Sequence, residues 1–285
     1  MKIIRFIPFA VMLAAGLCPA ATQPANSPDK SSCGFFNPVP DHLLRDFDTD
    51  RPDKTNSPHT LDAGRFQLEM GLLAFTHNQD AGTRTDHWTW ADTTLRIGVT
   101  NWAELQLEIP CYQSNCDTDL VSHMKNNRNG IGDLSVMLKT NFWGNDNGDT
   151  AGGLELFVKT PTATHDLGNG KYEGGAVFLF GLKLPGDFDL GINNGVSINA
   201  NDDGGYHAEI INSISISHGI VGPLAAYVEF YSTVPTQHSS DWLGTVDLGL
   251  LLMIGKNFQL DGGINIGITH AADDIQPFTG MSYRF

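Results

Sequence analysis

The stretch DTTLRIGVTNWAELQLEIP, from Asp92 to Pro110, decides the fold because it contains two runs that alternate between apolar and polar residues. Leu95 and Ile97 flank Arg96 in the first run, and the second run, AELQLEIP, repeats the pattern. Successive side chains of a β-strand point to opposite faces, so each run predicts a strand with one apolar and one polar face. The Asn101-Trp102 dipeptide between the runs predicts a tight turn and therefore an antiparallel hairpin.

The same alternation recurs throughout residues 61–285 and predicts strands of about 8 to 12 residues, long enough to cross an outer membrane at a tilt. Short connections, such as Pro185-Gly186-Asp187, alternate with longer polar ones, such as Thr76–His87 and Pro110–Gly130. Membrane barrels have short turns at the periplasmic rim and longer loops outside. We therefore predict an all-β fold, a transmembrane antiparallel up-and-down β-barrel of about 12 strands.

A soluble exported β-sandwich that binds a ligand also alternates, so the period alone leaves this alternative open. The C-terminal residues TGMSYRF favour the membrane barrel. Met281, Tyr283 and Phe285 share one face of a terminal strand and resemble the sorting signal of bacterial outer-membrane barrels. That resemblance implies the barrel assembly machinery as a partner, besides outer-membrane lipid.

The N-terminus has the order of a secretory signal, with Lys2 and Arg5 before an apolar run and small residues at Ala20 and Ala21. We predict a signal peptide over residues 1–20, an irregular lead-in over residues 21–60, and the barrel over residues 61–285. An exported β-barrel is expected in the outer membrane of a Gram-negative-type bacterium.

The lead-in carries the sequence TDRPDKTNSPHTLDAGRFQLEMG, from Thr49 to Gly71, which resembles the opening of a family of outer-membrane transporters. That family is named for the meta-cleavage pathway of phenol degradation. Two further stretches, GIGDLSVMLK from Gly130 to Lys139 and PTATHDLGNG after Lys159, are similar to it as well. The resemblance implies transport across the outer membrane and an association with aromatic compounds. Its first motif comprises Asp50, Arg51, Pro52, Ser57, Pro58, Gly64 and Glu69.

Two hypotheses concern the role of this lead-in. Either residues 46–58 dock at the periplasmic rim and partly close the pore, or they form a solvated linker. A calcium loop is disfavoured because the D-x-D-x-D spacing from Asp46 to Asp50 lacks the Gly and Glu of an EF-hand. We expect no metal and no cofactor.

The polar faces of the strands supply a candidate lumen in which acids outnumber bases. Such a lining favours cations if the pore is wet. Alternatively, the charges form a network that holds the wall together without flux. The candidate residues are Arg65, Glu69, Arg96, Glu104, Glu108, Asp133, Lys139, Glu155, Lys159, Lys183, Asp189, Glu209, Glu229, Asp247 and Asp261.

Aromatic residues near strand ends predict an interfacial belt, with a hydrophobic entry for an aromatic solute as the alternative. They include Trp88, Trp90, Trp102, Trp143, Tyr231 and Trp242. Among the cysteines, Cys111 and Cys116 are close enough in sequence for a disulfide in an oxidising compartment, which leaves Cys33 without a partner.

Other classes of function find little support. The net charge of −15 argues against nucleic acid as a partner. No catalytic motif is present, so we predict a protein that is not an enzyme. The favoured function is passive passage of small solutes, including hydrophobic or aromatic compounds. A structural or adhesive barrel with a closed lumen is the main alternative.

Overall fold

The computed structural model describes residues 29–201, 204–237 and 240–285. Within these ranges a short 3-10 helix at Asp41–Leu43 precedes thirteen strands that form one sheet. The strands are β1 (Phe66–Asp80), β2 (Thr83–Thr100), β3 (Ala103–Asp119), β4 (Lys125–Gly130), β5 (Ser135–Trp143), β6 (Thr150–Lys159), β7 (Glu173–Leu184), β8 (Phe188–Ala200), β9 (Tyr206–Val221), β10 (Leu224–Pro235), β11 (Leu243–Ile254), β12 (Phe258–Gly267) and β13 (Ile275–Arg284).

The sheet closes because β1 pairs antiparallel with β13, with Leu68 opposite Tyr283. Every other β-ladder is also antiparallel. Strands β4 and β5 share one wall position, since β3 pairs with β5 near one end and with β4 near the other. The result is a 12-stranded barrel with one extra strand, so the barrel prediction is confirmed and the two-sheet sandwich is excluded.

The first three strands are longer than the sequence pattern predicts. Strands β1, β2 and β3 have 15, 18 and 17 residues, whereas strands β5–β8 have 9 to 13. The prediction of a long loop over Thr76–His87 was wrong, because polar residues there continue the ladder to a tight turn at Ala81-Gly82. Both turn residues have positive φ (45° and 85°), the backbone that a two-residue hairpin needs.

The turns at the rim that holds the chain's C-terminus, which we take as periplasmic, are mostly short. They include Asn101-Trp102, Gly222-Pro223 and 255–257. The turn over residues 144–149 is longer, and its side chains bind the lead-in, as described below. At the other rim the connection after β6 spans residues 160–172.

The two faces of the wall differ as predicted, with exposed apolar side chains outside and buried polar side chains inside. Leu138, Leu156 and Leu248 lie on the outer surface, 40 to 45% exposed. Arg96, Glu104 and Lys139 lie inside, at most 1% exposed. In β10, Val228 and Phe230 lie on the outer face and Tyr227 and Glu229 on the inner face, as the alternation predicts.

Among the described residues, no helix has the length and apolar character that a membrane-spanning helix needs.

Two further predictions concern the signal peptide and the cysteines. The signal peptide over residues 1–20 lies outside the described residues. The prediction of a disulfide between Cys111 and Cys116 was wrong, because both residues lie on the continuous strand β3 and both thiols are free. Five residues of extended chain separate their Cα atoms by roughly 16 Å, and an odd spacing puts the side chains on opposite faces.

Candidate functional site

The lead-in enters the barrel and fills its lumen. We call residues 45–62 the lumen loop. Its two ends meet at the periplasmic rim, where the Arg45 backbone N–H donates to Asp62 Oδ2 at 2.8 Å. The guanidinium of Arg284, on β13, donates to the Arg45 carbonyl at 2.9 Å. Lys30 contacts Asp62 at 3.0 Å, so the entry and exit of the loop are held together.

On one side of the lumen, wall cations bind an anion of the loop. The Asp50 carboxylate lies 2.5 Å from Lys139 Nζ on β5 and 3.4 Å from the Arg96 guanidinium on β2. Arg96 also contacts Glu69 and Glu104, each at 2.9 Å. Because Arg96 and Lys139 are at most 1% exposed, these charges are stable only with their partners in place.

On the opposite side the polarity is reversed, since loop cations bind wall anions. Arg51 contacts Asp261 on β12 at 2.7 Å, and Lys54 contacts Asp247 on β11 at 3.0 Å. The Lys54 backbone N–H donates to Glu229 of β10 at 3.0 Å. The two basic side chains are 22% and 31% exposed, so water reaches this side of the loop.

Two uncharged loop residues, Thr55 and Asn56, form hydrogen bonds with side chains of the wall. Thr55 Oγ1 donates to Ser213 Oγ of β9 at 2.8 Å and also hydrogen-bonds to Glu229. Asn56 donates to Glu155 of β6 at 2.9 Å. A Cβ at Gly191 would lie 2.9 Å from the Thr55 methyl group, so glycine there allows the loop to approach the wall.

The motif residues Arg51 and Pro58 also lie close to wall glycines. A Cβ at Gly280 would stand 2.1 Å from the Arg51 guanidinium, and a Cβ at Gly181 would stand 3.2 Å from the Pro58 ring. The Asp-Arg-Pro motif therefore marks the part of the loop where Asp50 and Arg51 reach opposite walls.

The long periplasmic turn over residues 144–149 covers the loop from below. Asn145 Oδ1 accepts from the Thr60 backbone N–H at 2.9 Å. Asp146 contacts Lys30 at 2.9 Å and Arg45 at 3.0 Å. Burial raises the pKa of Asp146, but the hydrogen bonds from Lys30 and Arg45 outweigh it and lower the pKa. The extra length of this turn is thus used to hold both ends of the lumen loop.

Two cavities meet at Asn56. The outer one, of about 380 Å³, is lined by polar groups together with Val177, Ile211 and Tyr231. The one towards the periplasm, of about 510 Å³, is bounded by the lumen loop and the 144–149 turn. Asn56 lines both cavities, while Lys54 lines the outer one and Thr55 the periplasmic one, so this part of the loop lies between them.

The loop carries groups whose protonation depends on burial. Burial raises the pKa of Asp53 to about 7, with the nearby Asp50 and Asp48 charges adding to the effect and a hydrogen bond with Ser215 opposing it. Burial alone would lower the pKa of His59, but the hydrogen bond and charge of Asp48 outweigh it and raise the pKa.

The structure brings most of the predicted lumen residues against the loop. The group in direct contact with the loop or with its ion-pair network comprises Glu69, Arg96, Glu104, Lys139, Glu155, Glu229, Asp247 and Asp261. Sequence reasoning missed the partners on the loop itself, above all Lys54 and Asn56. Their only signal was their position beside the Asp-Arg-Pro motif.

Other predicted lumen residues lie elsewhere. Arg65 is at the periplasmic rim, where it binds the Val39 carbonyl and Asp41. Asp189 lines the periplasmic cavity. The rest have other neighbours. Glu108 is half-buried and stands opposite Ser135, and Lys159 pairs with Asp133 and Glu173. Glu209 contacts His207, and Lys183 lines the periplasmic cavity.

The aromatic residues that were predicted to form a belt lie in different environments. Trp102, Trp143 and Trp242 are exposed, whereas Tyr231 faces the lumen, with its ring 4.9 Å from Lys54 Nζ. Tyr231 therefore lines the outer cavity, and its assignment to the belt was wrong.

Recognition of the C-terminal strand by the assembly machinery stays a prediction. In that strand Met281, Tyr283 and Phe285 alternate with the buried Ser282 and Arg284.

The family model described as "Putative MetA-pathway of phenol degradation" matches residues 49–285. The chain belongs to this family. The match begins inside the lumen loop, so the loop is part of the family's shared sequence. A comparison with curated protein sequences gives no match.

Solved structures share the barrel at low sequence identity. An outer-membrane channel from Pseudomonas putida F1 is 11% identical, with a TM-score of 0.57, over 84% of this chain and 100% of that one. The transport unit of an Escherichia coli autotransporter, AIDA-I, is 12% identical, with a TM-score of 0.47, over 84% and 93%. An anion-selective porin from Comamonas acidovorans is 9% identical, with a TM-score of 0.39, over 78% of this chain and 98% of that one. The chain shares the closed β-barrel fold of the Pseudomonas putida outer-membrane channel.

Proposed function

We propose that the protein is a non-enzymatic outer-membrane channel for small solutes, kept closed by its lumen loop. The observation that carries the proposal is that the loop is bonded to the wall on opposite sides, through Asp50 on one side and Arg51 and Lys54 on the other. Asn56 lines both the outer cavity and the periplasmic one. A small displacement of the loop would therefore join the two cavities.

The lining supports a preference for small cationic or uncharged solutes. With the loop displaced, Glu229, Asp247 and Asp261 lose their loop cations and leave an acidic wall. Val177, Ile211 and the Tyr231 ring give the outer cavity an apolar side that accepts hydrophobic or aromatic compounds. The alternative, a structural barrel whose lumen never opens, predicts no flux in any condition.

The first test removes residues 46–56, which is feasible because Arg45 and Asp62 are already hydrogen-bonded. In planar lipid bilayers we expect the deletion variant to conduct far more than the parent and to prefer cations. Heat-modifiable gel mobility verifies that the barrel has folded. Conductance equal to that of the parent would remove the loop from the mechanism, and anion selectivity would refute the proposed lining.

A second test locks the loop instead of removing it. Thr55 and Ser213 lie within 2.8 Å through their hydroxyl oxygens, so Thr55→Cys with Ser213→Cys is placed for a crosslink. The background carries Cys33→Ser, Cys111→Ser and Cys116→Ser. We expect the oxidised protein to be silent and the reduced protein to conduct like its Cys-free parent, with Thr55→Cys alone as the matched control. If oxidation leaves solute flux unchanged, the loop does not close the path.

A further inference from the structure

The segment before the lumen loop forms a rigid turn outside the barrel. Gly34 and Asn37 exchange two backbone hydrogen bonds, of 2.9 and 3.0 Å, and the Asn37 side chain donates to the Ser32 carbonyl at 2.9 Å. The Val39 backbone N–H then donates to the Ala63 carbonyl at 3.0 Å. The turn is therefore attached to the rim just before β1.

The tip of this turn holds two adjacent aromatic residues, Phe35 and Phe36. Phe36 is 96% exposed, the most exposed large apolar side chain in the described part of the chain, and Phe35 is 40% exposed. Their rings make an edge contact, with 5.0 Å between the centroids. Two adjacent exposed aromatic side chains form a contiguous apolar patch, and such patches mark sites of contact with a protein or a membrane.

The tip continues an aromatic row on the outer wall. The Phe35 ring lies 6.1 Å from Phe66, which stacks on Phe285 at 5.8 Å, and Phe285 stacks on Tyr283 at 6.0 Å. Phe66 alternates with the inward Gln67 and therefore belongs to the lipid-facing side of β1. Aromatic rows at this height are typical of the membrane–water interface of barrels.

We propose that the Phe35-Phe36 turn inserts into the periplasmic leaflet of the outer membrane and anchors the N-terminal end of the lumen loop there. The occupant is lipid, because the turn extends a surface that already faces lipid. The contact is apolar rather than electrostatic: Lys30 is buried against Asp62, and Arg65 is paired with Asp41. The loop is then fixed at one end by lipid and at the other by β1, so it leaves the lumen by a hinge movement rather than as a free tail.

The test places a nitroxide spin label at Phe36→Cys in the Cys33→Ser, Cys111→Ser, Cys116→Ser background, reconstituted in vesicles of uncharged phosphatidylcholine. Ser32→Cys on the same turn is the water-facing control, and Leu248→Cys on the outer wall is the lipid-facing control. We expect collisions with oxygen at position 36 to be as frequent as at position 248. Collisions with a water-soluble nickel chelate should be several-fold rarer than at position 32, with or without added anionic lipid.

Equal accessibility of positions 36 and 32 to the nickel chelate would overturn the proposal and would favour a protein partner, which the vesicles lack. A requirement for anionic lipid would overturn the apolar mechanism. Phe36→Trp provides a second measurement without a label, since quenching by lipids brominated near the glycerol group should exceed that of the parent. Neither measurement depends on whether the lumen loop closes a channel.

Discussion

Two parts of the lumen wall hold the same loop with opposite charge polarity. On the β2 and β5 side the wall supplies the cations Arg96 and Lys139, and the loop supplies Asp50. On the β10–β12 side the wall supplies acids, and the loop supplies Arg51 and Lys54. The loop thus spans the lumen as a dipolar segment whose orientation is set by the wall.

The two sides also differ in exposure to water. The wall groups are at most 1% exposed on both sides, but the loop residue Asp50 is 12% exposed, whereas the loop residues Arg51 and Lys54 are 22% and 31% exposed. Buried pairs are costly to break, while partly hydrated pairs contribute little net free energy. We infer that the β2–β5 side is the fixed attachment and that the β10–β12 side is the one that releases first.

The largest effect is expected from Arg96→Met. This change leaves Glu69 and Glu104 buried without their shared cation, and Asp50 loses one of its two. We expect a loss of about 3–5 kcal/mol in the free energy of unfolding, measured by urea denaturation in detergent. Lys183→Met, an exposed change of the same charge, is the control and should cost little. Equal stability of Arg96→Met and the parent would mean that this network does not stabilise the barrel.

Asp50→Asn should loosen the loop while sparing the wall. Arg96 keeps Glu69 and Glu104 as partners, and Lys139 keeps Glu104 and Glu155 nearby, so the barrel retains its buried pairs. We expect a smaller loss, about 1–3 kcal/mol, and more frequent channel openings in single-channel recordings.

The matched control for this change is Asp46→Asn, which removes an exposed charge of the same loop. If both variants open equally often, the effect comes from net charge alone and the fixed attachment is elsewhere.

On the hydrated side, Lys54→Asp combined with Asp247→Lys exchanges the two charges of a pair. Because Lys54 is 31% exposed and the exchange keeps one charge of each sign at the buried position 247 and its partner, we expect the exchange to restore closure relative to Lys54→Asp alone. The corresponding exchange of Asp50 and Lys139 should fail to restore closure, since a carboxylate at position 139 would lie beside Glu104 and Glu155 and a lysine at position 50 would lie beside Arg96. Single-channel recordings of these variants, with Asp50→Lys as the matched single change, compare the two sides directly, and equal tolerance on both sides would contradict the proposed difference.

The sequence predicted the wall much better than its contents. Alternation in β2 and β3 identified which side chains face inward, because the period of two is a local property of a strand. It did not predict the length of β1, since polar residues such as Asn78 and Gln79 pair in the ladder above the membrane as readily as apolar ones do within it.

The partners of the loop could not be predicted for a different reason. Asp50 and Lys139 are 89 residues apart, and Arg51 and Asp261 are 210 apart. Such contacts depend on how an irregular segment folds inside a closed barrel, and no local pattern records that. The docking hypothesis placed the segment at the periplasmic rim, whereas the structure carries it into the lumen.

The pH dependence of closure acts through Asp53. Its pKa is about 7 when the loop is docked, because burial disfavours the carboxylate, and would return to about 3.9 in water. The docked state therefore gains stability from the neutral acid at low pH and loses that stability as the pH rises from about 4 to about 7. The raised pKa of His59 acts in the same direction, since its docked charged form is lost as the pH rises. We expect openings to become more frequent as the pH rises from about 4 to about 7, as measured in planar bilayers, and Asp53→Asn to flatten the profile. A profile that is unchanged in Asp53→Asn would assign the titration to another group, and fewer openings at high pH would reverse the sign of the mechanism.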